Sequence, residues 1–219
     1  MIGIDPAQAE FMTRRIAEIA KTVHLRTGRS TCATMLTIVF TPDAATLADV
    51  AAADFPSDNW KVRALLKEFV KSTRPVRWIS LSDECGGDHA PAGGGCPLPN
   101  TRLVKATSPT LHAMLIIVDA GKISGFSIGQ MSNYLGLVAL SNPPLANDAP
   151  PNSILALFDR PTGGFSDLLT DYDYSFLAGL YGIRLNLDAA SQRASIASRM
   201  TRELRRKSKT DQSLTAPQN

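Results

Sequence analysis

Residues 127–140 read SIGQMSNYLGLVAL, and the reading of this stretch decides the fold. Ser127 followed three positions later by Gln130 is a capping box. The serine side chain accepts the Gln130 amide, and the glutamine reaches back to the Ser127 amide. A helix is therefore expected over 127–141. Met131, Leu135 and Val138 form its apolar stripe, with Asn133 and Tyr134 on its polar face.

Outward from this helix, the upstream run AMLIIVD (113–119) reads as a strand, with Gly121 and Gly125 punctuating the link. PVRWISLS (75–82) and a segment near 102–107 are further strand candidates. ATMLTIVF (33–40) is a continuous apolar run that reads as a central strand. Asp5-Pro6-Ala7-Gln8 opens a helix carrying Phe11, Met12, Ile16, Ile19 and Val23, with Gly28 as its expected stop. Helices are also expected through AATLADVAAA after Asp43 and around Trp60 to Val70. Downstream come a Pro/Asn-rich loop (142–152), the short apolar piece SILALF, and a helix entered at Thr170. That helix has a second capping box, with Asp173 in the place of glutamate, and Gly182 as its stop.

At 219 residues the chain is long enough for one well-formed domain. Its apolar content of 44% and charged content of 20% belong to the globular class, and a net charge of +3 does not by itself imply a polyanionic partner. No apolar run is long enough for a transmembrane segment, and MIGIDPAQAEF lacks the basic start and apolar core of a signal peptide. Cys85 and Cys96 bracket GGDHAPAGGG, a loop that cannot hold itself by packing. A disulfide closing it would contribute roughly 2–3 kcal/mol in the loop-entropy picture. Free thiols, or a metal shared with His89, remain alternatives. A disulfide would favour a periplasmic or secreted setting, and its absence a cytoplasmic one. Cys32 reads as a buried thiol.

Three pieces in order carry a family resemblance. Leu135-Gly136-Leu137 sits where a zinc-protease helix HExxHxxGxxH has its glycine, and Ser153-Ile154-Leu155 falls where metzincins have the turn SIM. LLTDYDYSFLAGLYG (168–182) is similar to the closing helix of matrixin-type metzincins, with Thr170, Asp173, Leu177, Leu180 and Tyr181-Gly182 in register. The resemblance covers about residues 113–183 and implies a zincin-like fold. It also implies that the chemistry is lost. The three histidine slots fall on Gly129, Asn133 and Ala139, and the glutamate slot on Gln130. Glycine and alanine offer no ligand, and asparagine is a poor one. Gln130 cannot take a proton from water.

Other chemistries find no support in the residues. There is no phosphate loop or GxGxxG motif. His24, His89 and His112 share no i,i+4 spacing. Asp167, Asp171 and Asp173 cluster at a helix start without an EF-hand pattern. From Ala189 the chain is basic: Ile196, Met200 and Leu204 form a narrow stripe, with Arg199, Arg202, Arg205 and Arg206 among the cations around it. A docked helix with a solvated basic face is the plain reading; weak binding to an anionic surface is the functional one. No aromatic residue interleaves the cations, so the nucleic-acid signal is weak.

The expectation is an α+β chain, with a single zincin-like domain over 1–188 whose mixed sheet packs against helices. A basic C-terminal helix over 189–207 and a disordered tail over 208–219 complete it. Its function would be non-catalytic: a binding or scaffold module for a protein or peptide, with no cofactor, using a degenerate cleft around Gln130, Asn133 and Tyr134. An enzyme with another hydrolytic site, or an unrelated α+β domain, stays open.

Overall fold

The computed structural model describes residues 1–25, 35–55, 60–85, 108–145, 148–159, 167–182 and 189–215. In chain order these form α1 (Pro6–Thr22), β1 (Met35–Thr41), α2 (Ala44–Ala53), α3 (Trp60–Lys71), β2 (Val76–Cys85), β3 (Ser108–Asp119) and α4 (Ile128–Ser141). A 3-10 helix (Ile154–Asp159), α5 (Asp171–Tyr181) and α6 (Ala189–Thr215) follow. The mixed α/β composition agrees with the sequence. The chain groups into two compact units: Met1–Ile4, Gly28–Ser124 and Pro144–Ala146 in one, and Asp5–Thr27, Gly125–Pro143 and Asn147–Asn219 in the other. Each is assembled from separate segments, so no single cut in the sequence divides them.

The first unit is built on a three-stranded sheet in the order β1-β3-β2, with β3 parallel to β1 and antiparallel to β2. Ile38 and Trp78 both register against Ile116. β3 is the central strand, and Ile116, Ile117 and Val118 are fully buried, as expected where both faces are covered. β1 therefore lies at the sheet's end among the described strands, not at its centre. Its continuous apolar run reflects protection of that edge: Ile2 donates to the Ile38 carbonyl and accepts from the Phe40 amide, both at 2.9 Å. Gly3 is at φ +77, with the Phe40 carbonyl where a Cβ would sit, so only glycine fits there. Ala44 and Ala48 of α2 and Phe69 of α3 pack with Ile79 and Ile117 in one core cluster. Trp60 and Leu65, apolar residues of the same α3 pattern, stand exposed.

The second unit is helical. Asp5 caps α1 by accepting from Ala7 and Gln8, with Pro6 in the first turn. The helix stops earlier than the expected Gly28. The amides of His24 and Leu25 bond back to Lys21 and Ala20, with His24 left-handed at φ 59. That is a Schellman closure, with histidine where glycine is usual. α1 packs on α4, and Ile19 reaches into the space that a Cβ on Gly136 would fill, 2.8 Å from its Cδ1. α6 lies along α5, with the Ile196 carbonyl 3.1 Å from the place of a Gly179 Cβ. It continues past Lys207 to Thr215, because no helix breaker precedes Pro217. The 102–107 strand candidate lies outside the described residues.

Candidate functional site

The capping box expected at the head of α4 is present. Gln130 donates its amide to Ser127 Oγ at 3.0 Å, and its Oε1 accepts the Ser127 amide at 3.1 Å. The Ser127 hydroxyl also donates to the Asp167 carboxylate. Gln130 is thus a buried cap, fixed by its own helix terminus.

The polar face assigned to α4 does not exist. Every residue from Gly129 to Val138 is buried, and Asn133 and Tyr134 have no exposed surface. The helix is covered by α1 and by the 3-10 helix, so it has no solvent side to be polar. Tyr134 stacks edge-on against Phe158 at 4.9 Å, and Phe158 against Phe126 at 5.0 Å. In this conformation Asn133 and Tyr134 cannot touch a partner, and Gln130 barely can. The cleft expected around them is filled by protein.

Asn133 occupies the second histidine slot. Its Nδ2 donates to the Gly129 carbonyl at 2.9 Å and the Asp167 carbonyl at 2.6 Å, and its Oδ1 accepts from Arg15 Nε at 3.0 Å. Arg15 also pairs with Glu18 at 3.2 Å. The first slot, Gly129, has no room for a side chain, because a Cβ there would lie 2.9 Å from Asp167 Cβ and Cγ. The third, Ala139, is half-buried. None of these positions offers a group that could bind a cation or titrate. Among the described residues no three of His, Cys, Asp and Glu are close enough to share a metal ion.

The two downstream pieces of the resemblance meet at Asp173, which is 1% exposed. Its Oδ1 accepts from Ser153 Oγ at 2.6 Å, and its Oδ2 accepts the amides of Ile154 at 2.9 Å and Thr170 at 3.2 Å. The Asp173 amide in turn donates to Thr170 Oγ1 at 3.1 Å, completing the second capping box. One carboxylate therefore ties the Ser153-Ile154-Leu155 turn to the head of α5. At the other end of α5, Tyr181 OH donates to the Leu140 carbonyl at 2.5 Å, and burial pushes its phenol above the ordinary value.

Among the α6 cations, Arg199 lies against Gly182, the C-cap of α5, where a positive charge complements the helix dipole. Lys207 pairs with Asp171 in the first turn of α5 and stands 5.1 Å from the Tyr174 ring. Ile196, Met200 and Leu204 are half-buried. Arg202, Arg205 and Arg206 instead line an open depression of about 650 Å³ with Ser198 and Thr201.

Cys96, Cys32 and His89 lie outside the described residues, so the Cys85–Cys96 pair does too; Cys85 ends β2. No described helix is long and apolar enough to cross a membrane. Arg15, and the bond that Ser153 makes to Asp173, are not legible in local spacing, because their contacts lie 118 and 20 positions away along the chain. The two hydroxyl residues of the depression are legible in the spacing, i,i+3 to one another and i,i+4 to Arg202 and Arg205. Comparison with protein-family models, with curated proteins and with solved structures finds no match for this chain.

Proposed function

We propose that this chain is a zincin-like module in which a hydrogen-bonded plug stands in place of the hydrolytic centre, and that it works by binding a protein or peptide partner. The observation that carries the reading is Asn133. It is buried at the second ligand slot, with both ends of its amide engaged by Arg15, Gly129 and Asp167. A zinc site needs ligand lone pairs converging on an open position. Here the one polar side chain in the slots points its acceptor at a guanidinium. The contacts of α1 with α4 and of the 3-10 helix with α4, together with the Asp173 tie, support the reading. They gather the three resembling segments in one helical unit.

The test is elemental analysis of tag-free protein followed by calorimetric titration with zinc. Substoichiometric metal and no saturable zinc binding are the expected results, and one tightly held zinc per chain would overturn the reading. The binding half is tested by selection from a displayed peptide library. A selected peptide should bind equally well with and without chelator. Chelator-sensitive binding would return the site to metal chemistry.

A further inference from the structure

We propose that the depression on α6 lined by Ser198, Thr201, Arg202, Arg205 and Arg206 is a binding site for a phosphoryl group. The inference does not depend on the zincin reading. Positions 198, 201, 202 and 205 follow helical spacing, so they share one face of α6. Arg202, Arg205 and Arg206 are three and four positions apart, which puts like charges side by side at a small cost to the bare helix. Glu203 pairs with Arg206 at 3.1 Å. Among the described residues Arg202 has no carboxylate partner.

The charge is segregated. Residues 189–215 contain seven Lys and Arg against Glu203 and Asp211, a net of +5. The whole chain is +3, so the remaining residues sum to −2. Docking on α5 accounts for Arg199 and Lys207, which meet its two ends, but not for Arg202.

The geometry selects the anion. Guanidinium forks offer paired donors matched to tetrahedral oxyanions, and a hydroxyl at Ser198 adds another. Thr201 Oγ1 donates to the Ala197 carbonyl at 3.0 Å and can turn its proton outward by a single rotamer change. An aromatic platform for stacking bases is missing from α6. The apolar stripe that would enter a bilayer is half-buried instead. A concave site with three arginines fits a terminal phosphoryl on a soluble molecule or on a lipid headgroup.

The experiment is calorimetric titration of the full chain with inorganic pyrophosphate at fixed ionic strength, comparing wild type, Arg202→Ala and Arg193→Ala. Alanine keeps α6 helical, which far-UV circular dichroism verifies. Saturable binding weakened about tenfold by R202A and unchanged by R193A is expected, the loss of one charge-assisted contact. No saturable binding, or equal weakening by both variants, overturns the proposal. Phosphatidylcholine vesicles doped with phosphatidic acid or with phosphatidylglycerol separate the sources. Binding to phosphatidic acid alone, lost in R202A, assigns a lipid monoester. Pyrophosphate binding without vesicle binding assigns a soluble ligand. Equal attachment to both lipids, insensitive to R202A, overturns the proposal.

Discussion

Replacing Asp173 by alanine should be among the most damaging single changes in the helical unit. The carboxylate is buried and accepts from Ser153 Oγ, the Ile154 amide and the Thr170 amide. Truncation leaves the Ser153 hydroxyl and the Ile154 amide facing a cavity, at about 1–3 kcal/mol for each buried group left unsatisfied. It also removes half of the α5 capping box, about 1 kcal/mol. The total is about 4 kcal/mol. Asp173→Asn should cost less, about 2 kcal/mol, because Ser153 Oγ can reverse its role and accept from the new amide. The measurement is urea unfolding followed by far-UV ellipticity, which follows the helices directly, whereas Trp60 and Trp78 both belong to the sheet unit. A double-mutant cycle with Ser153→Ala should return a coupling of about 1–2 kcal/mol. If D173A costs less than about 1 kcal/mol, or if D173N is the worse variant, Asp173 does not tie the turn to α5 in the way described.

His24→Gly should stabilise the protein by about 0.5–1 kcal/mol, because histidine is held left-handed at φ 59 where glycine carries no steric cost; the unfolding midpoint checks this. Gly129→Ala should destabilise by about 1 kcal/mol despite its better helix propensity, because its Cβ displaces Asp167 from Ser127; denaturant titration reads the sign. The Tyr181 phenol is raised by burial, so the folded state holds its proton at a pH where the unfolded chain has lost it. Its contribution is complete below the ordinary tyrosine value of about 10 and is lost as pH rises through the folded value. Stability should therefore fall somewhat more in alkali for wild type than for Tyr181→Phe, measured as unfolding midpoint against pH.

The parts of the site that were legible in the sequence are those written in local spacing. Both capping boxes, Ser127 with Gln130 and Thr170 with Asp173, follow from a three-residue offset and stand as read. Asn133 and Tyr134 were misplaced on a polar face because periodicity marks which residues are apolar, and cannot show that α1 and the 3-10 helix cover the opposite side. The partner of Asn133 is an arginine on another helix, chosen by packing rather than by spacing. The left-handed conformation of His24 is not legible in the sequence, because a non-glycine residue in that region is recognised only from the backbone. β1 was read as central because apolar runs mark burial, and the cover over its edge comes from Ile2, far off in sequence. Arg199 and Arg202 look alike in the chain, yet one serves the end of α5 and the other lines the depression.

The complete burial of α4 sets an order for exchange with solvent. Its amides from Gly129 to Val138 carry side chains hidden on every side, its first turn is closed by Ser127 and Gln130, and its last by Asn142 in the left-handed conformation. No partial fraying exposes these groups, so deuterium reaches them only when α1 and the 3-10 helix come away as well. From Gln130 onward they should be the slowest-exchanging segment of the helical unit, with protection factors that read its global opening free energy. α6, exposed at most of positions 190–207, should exchange by local opening long before, so one labelling experiment separates the two timescales.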